Sequence, residues 1–216
     1  MIRKTMMPAL TLLLLTAAGV TLAGATGRSD TPIERAQLVG AFQLDGELFH
    51  VQVLAVHERR IWITSVDRHS HRGYLHEFDR ASGRLLRRID LTDGPRYHVG
   101  GLSIAGDAIW VPVAENRPNS SAVLVEIDAG TLAVRRRIPV GDHIGCLAAD
   151  DRHLVAANWN SEKLYVIDRD TGRVRVVRNP SPTRYQDIKF VDGQLVAGGY
   201  RSLWSGTVDW IDFPAM

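Results

Sequence analysis

The sequence predicts an all-β protein, a β-propeller built from four-stranded antiparallel blades with about four blades present. Three observations predict it. A histidine-led, strand-like segment recurs three times, with a weaker fourth copy. Each copy is followed by an apolar-rich run that ends in aspartate. No stretch after the amino-terminal apolar segment carries the 3.6-residue period of an amphipathic helix.

The repeat sets the elements in order. "HVQVLAVHERRIWITSV" (50–66) aligns without a gap on "HVGGLSIAGDAIWVPVA" (98–114). His50 falls on His98, Leu54 on Leu102, Val56 on Ile104 and Trp62 on Trp110. "HIGCLAADDRHLVAANW" (143–159) is the third copy, with His143 and Leu147 in register and Val155 in the tryptophan position. The fourth, "YQDIKFVDGQLVAGGY" (185–200), matches Ile188 and Phe190 to Leu102 and Ile104. Its histidine position is taken by Arg184, Tyr185 or Gln186, depending on the gap. The continuations "GYLHEFD", "AVLVEID", "KLYVID" and "TVDWID" supply third strands, and each aspartate opens a turn by accepting a backbone N–H two residues on. "RLLRRIDL", "LAVRRRIPV" and "RVRVVRNP" follow as fourth strands. Short β-rich runs broken by Gly, Asp and Asn at this spacing are the sequence form of propeller blades. A β-sandwich is the rival, but it does not require equivalent histidine-to-tryptophan segments.

The chain ends carry further expectations. "AFQL" (41–44) reads like an orphan outer strand, with 38–44 positioned to close a small ring. "TVDWIDFPAM" stops inside the turn that should lead to an outer strand, which favours a carboxy-terminally incomplete propeller. Residues 1–25 read as a cleaved signal peptide: basic "MIRKTMMP", an apolar core, and the small-x-small site "AGA" at 23–25. The expected organisation is therefore signal peptide 1–25, linker 26–36 and propeller 37–216, exported to the periplasm or beyond.

Composition limits the function classes. The 216 residues hold 26 Lys and Arg against 24 Asp and Glu. The pI of about 8.9 owes part of its basicity to the leader, whose removal leaves 24 basic and 24 acidic side chains. A near-neutral mature chain has no global attraction to nucleic acid or anionic lipid, and no later segment could span a membrane. The single cysteine, Cys146, excludes an internal disulfide; aligned with Val53 and Gly101, it reads as a small buried strand residue.

"YHVGGLSIAGDAIWVPVAENRPNSS" (97–121), "DHIGCLAADD" (142–151) and "YQDIKFVDGQLVAGG" (185–199) resemble a family of exported bacterial proteins carrying a domain of unknown function. The resemblance covers about residues 37–213. It implies a propeller and a chain that continues beyond Met216, and it implies no activity, substrate or cofactor. The fold is more loosely similar to lactonase-type and glutaminyl-cyclase-type propellers, an analogy of architecture only.

In an up-and-down blade the innermost strand starts on the face that carries the loop between strands two and three. His50, His98 and His143 should therefore ring one mouth of the channel. Loop residues Glu115, Asn116, Arg117, Asn119 and Asn158 share that face, with Tyr97 beside it, as candidates for binding a small molecule or a partner. Arg117 with Asn116, Asn119 and Ser120 could hold an anion. His69 and His71 would point the same way if their segment is extended. A sharper hypothesis puts a divalent metal, the one cofactor the pattern suggests, on His50, His98 and His143, with Glu115 as general base of a hydrolase or lactonase. The plainer reading gives each histidine a structural hydrogen bond, one per blade. Asp142 and Asp187 read as supports for the site or as turn residues, and Trp62 and Trp110 as core between blades. The signature motifs of zincins, serine hydrolases, P-loop enzymes and dinucleotide-binding folds are all missing. Binding module, metal hydrolase and structural or protein-interaction module all remain open.

Overall fold

A computed structural model describes residues 37–213; the expected signal peptide and linker, and the end of the chain from residue 214, lie outside the described residues. The described residues from Ala41 form one compact unit. The compact unit is four antiparallel sheets arranged as the blades of a propeller. Blade 1 runs β1 (His50–His57), β2 (Arg60–Asp67), β3 (Arg72–Asp79) and β4 (Leu85–Asp90). Blade 2 has β5 (His98–Val99) and β6 (Ser103–Ala105) as a broken inner strand, then β7 (Ala108–Ala114), β8 (Ala122–Asp128) and β9 (Val134–Val140). Blade 3 is β10 (Ile144–Ala149), β11 (His153–Asn158), β12 (Lys163–Asp168) and β13 (Val174–Arg178). Blade 4 shows β14 (Arg184–Val191), β15 (Gln194–Ser202) and β16 (Ser205–Ile211).

Blade stacking explains the apolar runs. Blade 2 packs on both faces, so β7, "AIWVPVA", is buried along its whole length instead of alternating. Trp62, Leu75 and Val66 meet Leu102, Ile109 and Val111 between blades 1 and 2. Trp110 and Leu124 meet Leu147 and Leu154 between blades 2 and 3. Cys146, Val155 and Leu164 meet Ile188, Leu195 and Ile211 between blades 3 and 4. Both repeat tryptophans and the cysteine are thus core residues. Burial pushes the Cys146 thiol up to about 12, which leaves it an inert thiol.

A polar latch repeats along the outer half. Glu77 on β3 pairs with Arg87 on β4, and the Arg87 guanidinium donates to the Gly130 carbonyl of blade 2 at 2.8 Å. One blade on, Glu126 pairs with Arg136, which donates to the Arg169 carbonyl of blade 3 at 2.6 Å. Val166 stands in the glutamate's place in blade 3. The Asp-led turns also recur, but Asp79, Asp128 and Asp168 accept chiefly the backbone N–H and the hydroxyl of Ser82, Thr131 and Thr171, three residues on rather than two. Three is the separation because the next residue, Gly83, Leu132 or Gly172, takes a left-handed conformation that closes the turn.

The expected orphan strand does not form. Residues 37–44 pair with no strand among the described residues, and the one bridge nearby joins Asp45 to Arg84. Leu44 and Leu48 instead cover Ile61, Ile63 and Phe78 on blade 1. Burying that face outweighs edge pairing here, because "AFQLDGELF" supplies apolar side chains where blade 1 has no neighbouring blade. Blade 4 presents Val208 and Trp210 to solvent.

Each innermost strand is disturbed one step from its start. The register slips between Val51 and Val53, Ile144 and Cys146, and Tyr185 and Asp187, so Gln52, Gly145 and Gln186 are bulge residues. In blade 2 the strand breaks at the same point, Gly100–Leu102. This register makes Arg184 the fourth-blade equivalent of the histidines. At the break, the Gly101 N–H donates to the Gly145 carbonyl of blade 3 at 2.9 Å. A Cβ on Gly100 would stand 2.1 Å from that same oxygen, whereas one on Gly145 would meet nothing within 4 Å. Gly100→Ala should therefore cost about 1–3 kcal/mol of stability as an overpacked contact, and Gly145→Ala should be close to neutral; urea unfolding of the two variants checks the contrast.

Candidate functional site

The three bulges and the strand break surround a cavity of about 300 Å³ at the mouth of the channel, and each blade lends it three residues. Blade 1 gives His50, Gln52 and Arg68; blade 2 gives His98, Gly101 and Asn116. Blade 3 gives His143, Gly145 and Trp159; blade 4 gives Tyr185, Gln186 and Tyr200. The pattern is an inner-strand start, the bulge beside it, and a residue at or just beyond the end of the second strand. A bulge breaks strand alternation and re-aims one side chain, so neighbouring residues can face the same space. Larger hollows of about 670 and 570 Å³ run along the edges of blades 3 and 4, lined by Pro180, Ser181 and turn or outward-face residues. They gather groups from two neighbouring blades, while the mouth cavity gathers them from four.

The three histidines of the repeat do meet here. His98 and His143 have ring centroids 5.4 Å apart, and Trp159 stands edge-on to His143 at 4.5 Å. His143 Nδ1 donates to the Glu115 carbonyl at 2.8 Å, which fixes its tautomer and leaves Nε2 as the lone-pair nitrogen of the neutral ring. Its backbone N–H donates to Asp142, whose other carboxylate oxygen accepts from Tyr165, Lys163 and Asn158. Asp142 is thus a support of the site, anchored through β12. His98 pKa is pushed down to about 4, first by burial and then by the neighbouring His143, Arg68 and His50. Burial also lowers that of His143. These two rings are neutral near pH 7.

Two lining residues each carry a buried nitrogen with no hydrogen-bond partner: Gln52 Nε2 and His98 Nδ1. Deeper along β14, Lys189 Nζ donates to the Leu102 carbonyl of blade 2 at 2.6 Å and to Asp187 at 2.5 Å. Burial raises the Asp187 pKa, against the attraction of Lys189. Asp187 therefore belongs to a tie across the channel axis.

Several sequence candidates stand elsewhere. Tyr97 packs on the core between blades 1 and 2 and stacks on His71 at 4.7 Å. The Glu115 carboxylate is engaged by Ser121 and Arg117, which hold its pKa down, so it is not free to act as a general base. Arg117 is spent on that pair and on the Asn119 carbonyl, and Asn119 itself takes a left-handed turn conformation. The Asn158 side chain accepts from the Lys163 N–H and donates to Asp142. Only Asn116 of that loop set lines the cavity. His69 and His71 do not share a direction by extension, because 67–71 is a tight turn closed on the Asp67 carboxylate. Among the described residues no group of three His, Cys, Asp or Glu side chains is placed to hold a metal ion. His50, His98 and His143 share a rim without forming a ligand set.

Gln52, Arg68, Trp159 and Tyr200 were not singled out in the sequence, and Tyr185 and Gln186 appeared there only as possible occupants of the fourth histidine position. A signal existed for the glutamines: Gln52, Gly145 and Gln186 stand two residues after the histidine position in their copies. Its meaning depends on the bulge, which the sequence pattern does not reveal.

The comparisons match this architecture. The computationally designed Ika4 protein is similar with a TM-score of 0.53 at 17% identity, over 81% of this chain and 100% of that one. The Pan2 WD40 domain of Neurospora crassa gives a TM-score of 0.54 at 13% identity, over 76% and 47%. The RRP9 WD40 repeats give 0.55 at 14% identity, over 76% and 52%. The chain thus spans about half the length of these WD40 chains, and identities this low carry the fold alone. No curated protein matches it significantly. Among the described residues no helix is long and apolar enough to cross a membrane. A family profile matches residues 37–189, and on that match the chain belongs to the family of unknown function DUF6454.

Proposed function

We propose that the protein is an exported propeller that binds a small molecule at its channel mouth and does not transform it. The observation that carries this reading is a cavity built from all four blades, two of whose lining residues, Gln52 and His98, each hold a buried nitrogen without a hydrogen-bond partner. A buried polar atom without a partner costs about 1–3 kcal/mol, and a ligand that satisfies it recovers that cost. Export rests on the leader-like residues 1–25.

A metal-assisted hydrolase would need His50, His98 and His143 drawn closer together and a free carboxylate base, and Glu115 is already engaged. Metal analysis of untagged protein should accordingly find no stoichiometric divalent ion, and chelation should leave the melting temperature unchanged. One equivalent of zinc with a chelator-sensitive melt would restore the hydrolase reading.

A fragment library screened by ligand-observed NMR should give binders that His98→Ala weakens at least roughly tenfold, about 1.4 kcal/mol, with the fold intact by circular dichroism. Binders that His98→Ala leaves unaffected would remove the mouth as the site. Amino-terminal sequencing of the exported protein should begin at Thr26; a chain retaining Met1 would argue against cleavage.

A further inference from the structure

The identity of the lining groups narrows the ligand, on the footing that the mouth cavity is a binding site. The lining contains Arg68, three imidazoles and the amides of Gln52, Asn116 and Gln186, and it contains no carboxylate. The Arg68 guanidinium makes no ion pair or hydrogen bond among the described residues. Arg60, Arg72, Arg87 and Arg96 each pair with a carboxylate, whereas Arg68, like Arg59, Arg80 and Arg84, does not; of these four only Arg68 lines the cavity. A cation without a counter-charge beside two orphaned buried nitrogens, both able to donate, is a set of donors waiting for an acceptor. Trp159 and Tyr200 flank it half-exposed, offering flat apolar surfaces above the polar floor.

We infer that the mouth cavity binds a small organic anion, a carboxylate or phosphate ester with a planar apolar body. The acidic group sits against Arg68, His98 and Gln52, and the planar part lies between Trp159 and Tyr200. A neutral sugar fits less well, because it brings no counter-charge to the Arg68 guanidinium. The volume of about 300 Å³ stands at the lower end for ligand sites, which limits the occupant to a small metabolite.

Anion binding here is coupled to protonation. The charged or titratable groups that act on His98 are His143, Arg68 and His50, all of which disfavour its imidazolium. A bound anion reverses that field, raises the His98 pKa and draws a proton onto the ring. Binding therefore tightens as pH falls, and the complex takes up a proton that the free protein lacks.

Calorimetry of the untagged protein with benzoate, phenyl phosphate and neutral benzamide tests the inference. Either anion should bind at least roughly tenfold tighter than benzamide, and Arg68→Gln should abolish that preference without changing the melting temperature. Affinity for the anion should rise between about pH 7 and about pH 5, with proton uptake that His98→Gln removes. Comparing benzoate with phenyl phosphate distinguishes a carboxylate ligand from a phosphate ester. Benzamide binding as tightly as both anions, and unaffected by Arg68→Gln, would overturn the anion while leaving the binding cavity standing. Absence of binding by all three at millimolar concentration, in calorimetry and in ligand-observed NMR, would overturn the anion and count against the cavity as a site.

Discussion

The arrangement at the channel mouth depends on one close backbone contact, the Gly101 N–H donating to the Gly145 carbonyl beside a Gly100 that has no room for a side chain. It brings the inner strands of blades 2 and 3 within hydrogen-bond distance near the axis. Strand pairing of that kind is normally confined to one blade. It becomes possible here because the inner strand of blade 2 is broken at Gly100–Leu102 and that of blade 3 bulges at Gly145. The same irregularities set His98 and His143 with their rings 5.4 Å apart. The site is thus a consequence of how the sheets are interrupted, as well as of which residues they carry.

Three interactions of different kinds hold the blades in their angular order. Apolar clusters fill each junction and supply the bulk of the free energy, because they remove whole strand faces from water. The glutamate–arginine latches join blade 1 to 2 and blade 2 to 3 through carbonyls of the neighbouring turn. A half-exposed arginine contributes little as an ion pair in water, so the latch's main effect is to fix geometry and satisfy Glu77 and Glu126. The third interaction, Lys189 to the Leu102 carbonyl, crosses from blade 4 to blade 2.

Electrostatically the mouth is uneven. Its acidic neighbours are all committed: Asp142 to a set of donors, Glu115 to Arg117 and Ser121, and Asp187 to Lys189. Their charges are consumed in fixing His143, the loop and the tie from blade 4 to blade 2. What remains turned toward the cavity is a free guanidinium, the neutral imidazoles of His98 and His143, and amide donors.

Much of the architecture was written in the residues themselves. The gapless match of 50–66 with 98–114, the Asp-ended third strands and the buried tryptophans define repeating four-stranded sheets, because a strand buried on both faces must read as a continuous apolar run. The convergence of His50, His98 and His143 was also legible, since equivalent positions in equivalent blades face one axis. Which loop groups reach the cavity was not. Glu115, Arg117, Asn119 and Asn158 look like binding residues in one dimension, yet local turns and ion pairs use up their polar atoms. Arg68 and Gln52 look ordinary and become distinctive only when their surroundings are known. The sequence by itself determined the repeat, the strand order and the shared rim. Tertiary structure alone decided which polar atoms there are satisfied and which stay open, because hydrogen bonding is settled by distances between blades that no pattern along the chain records.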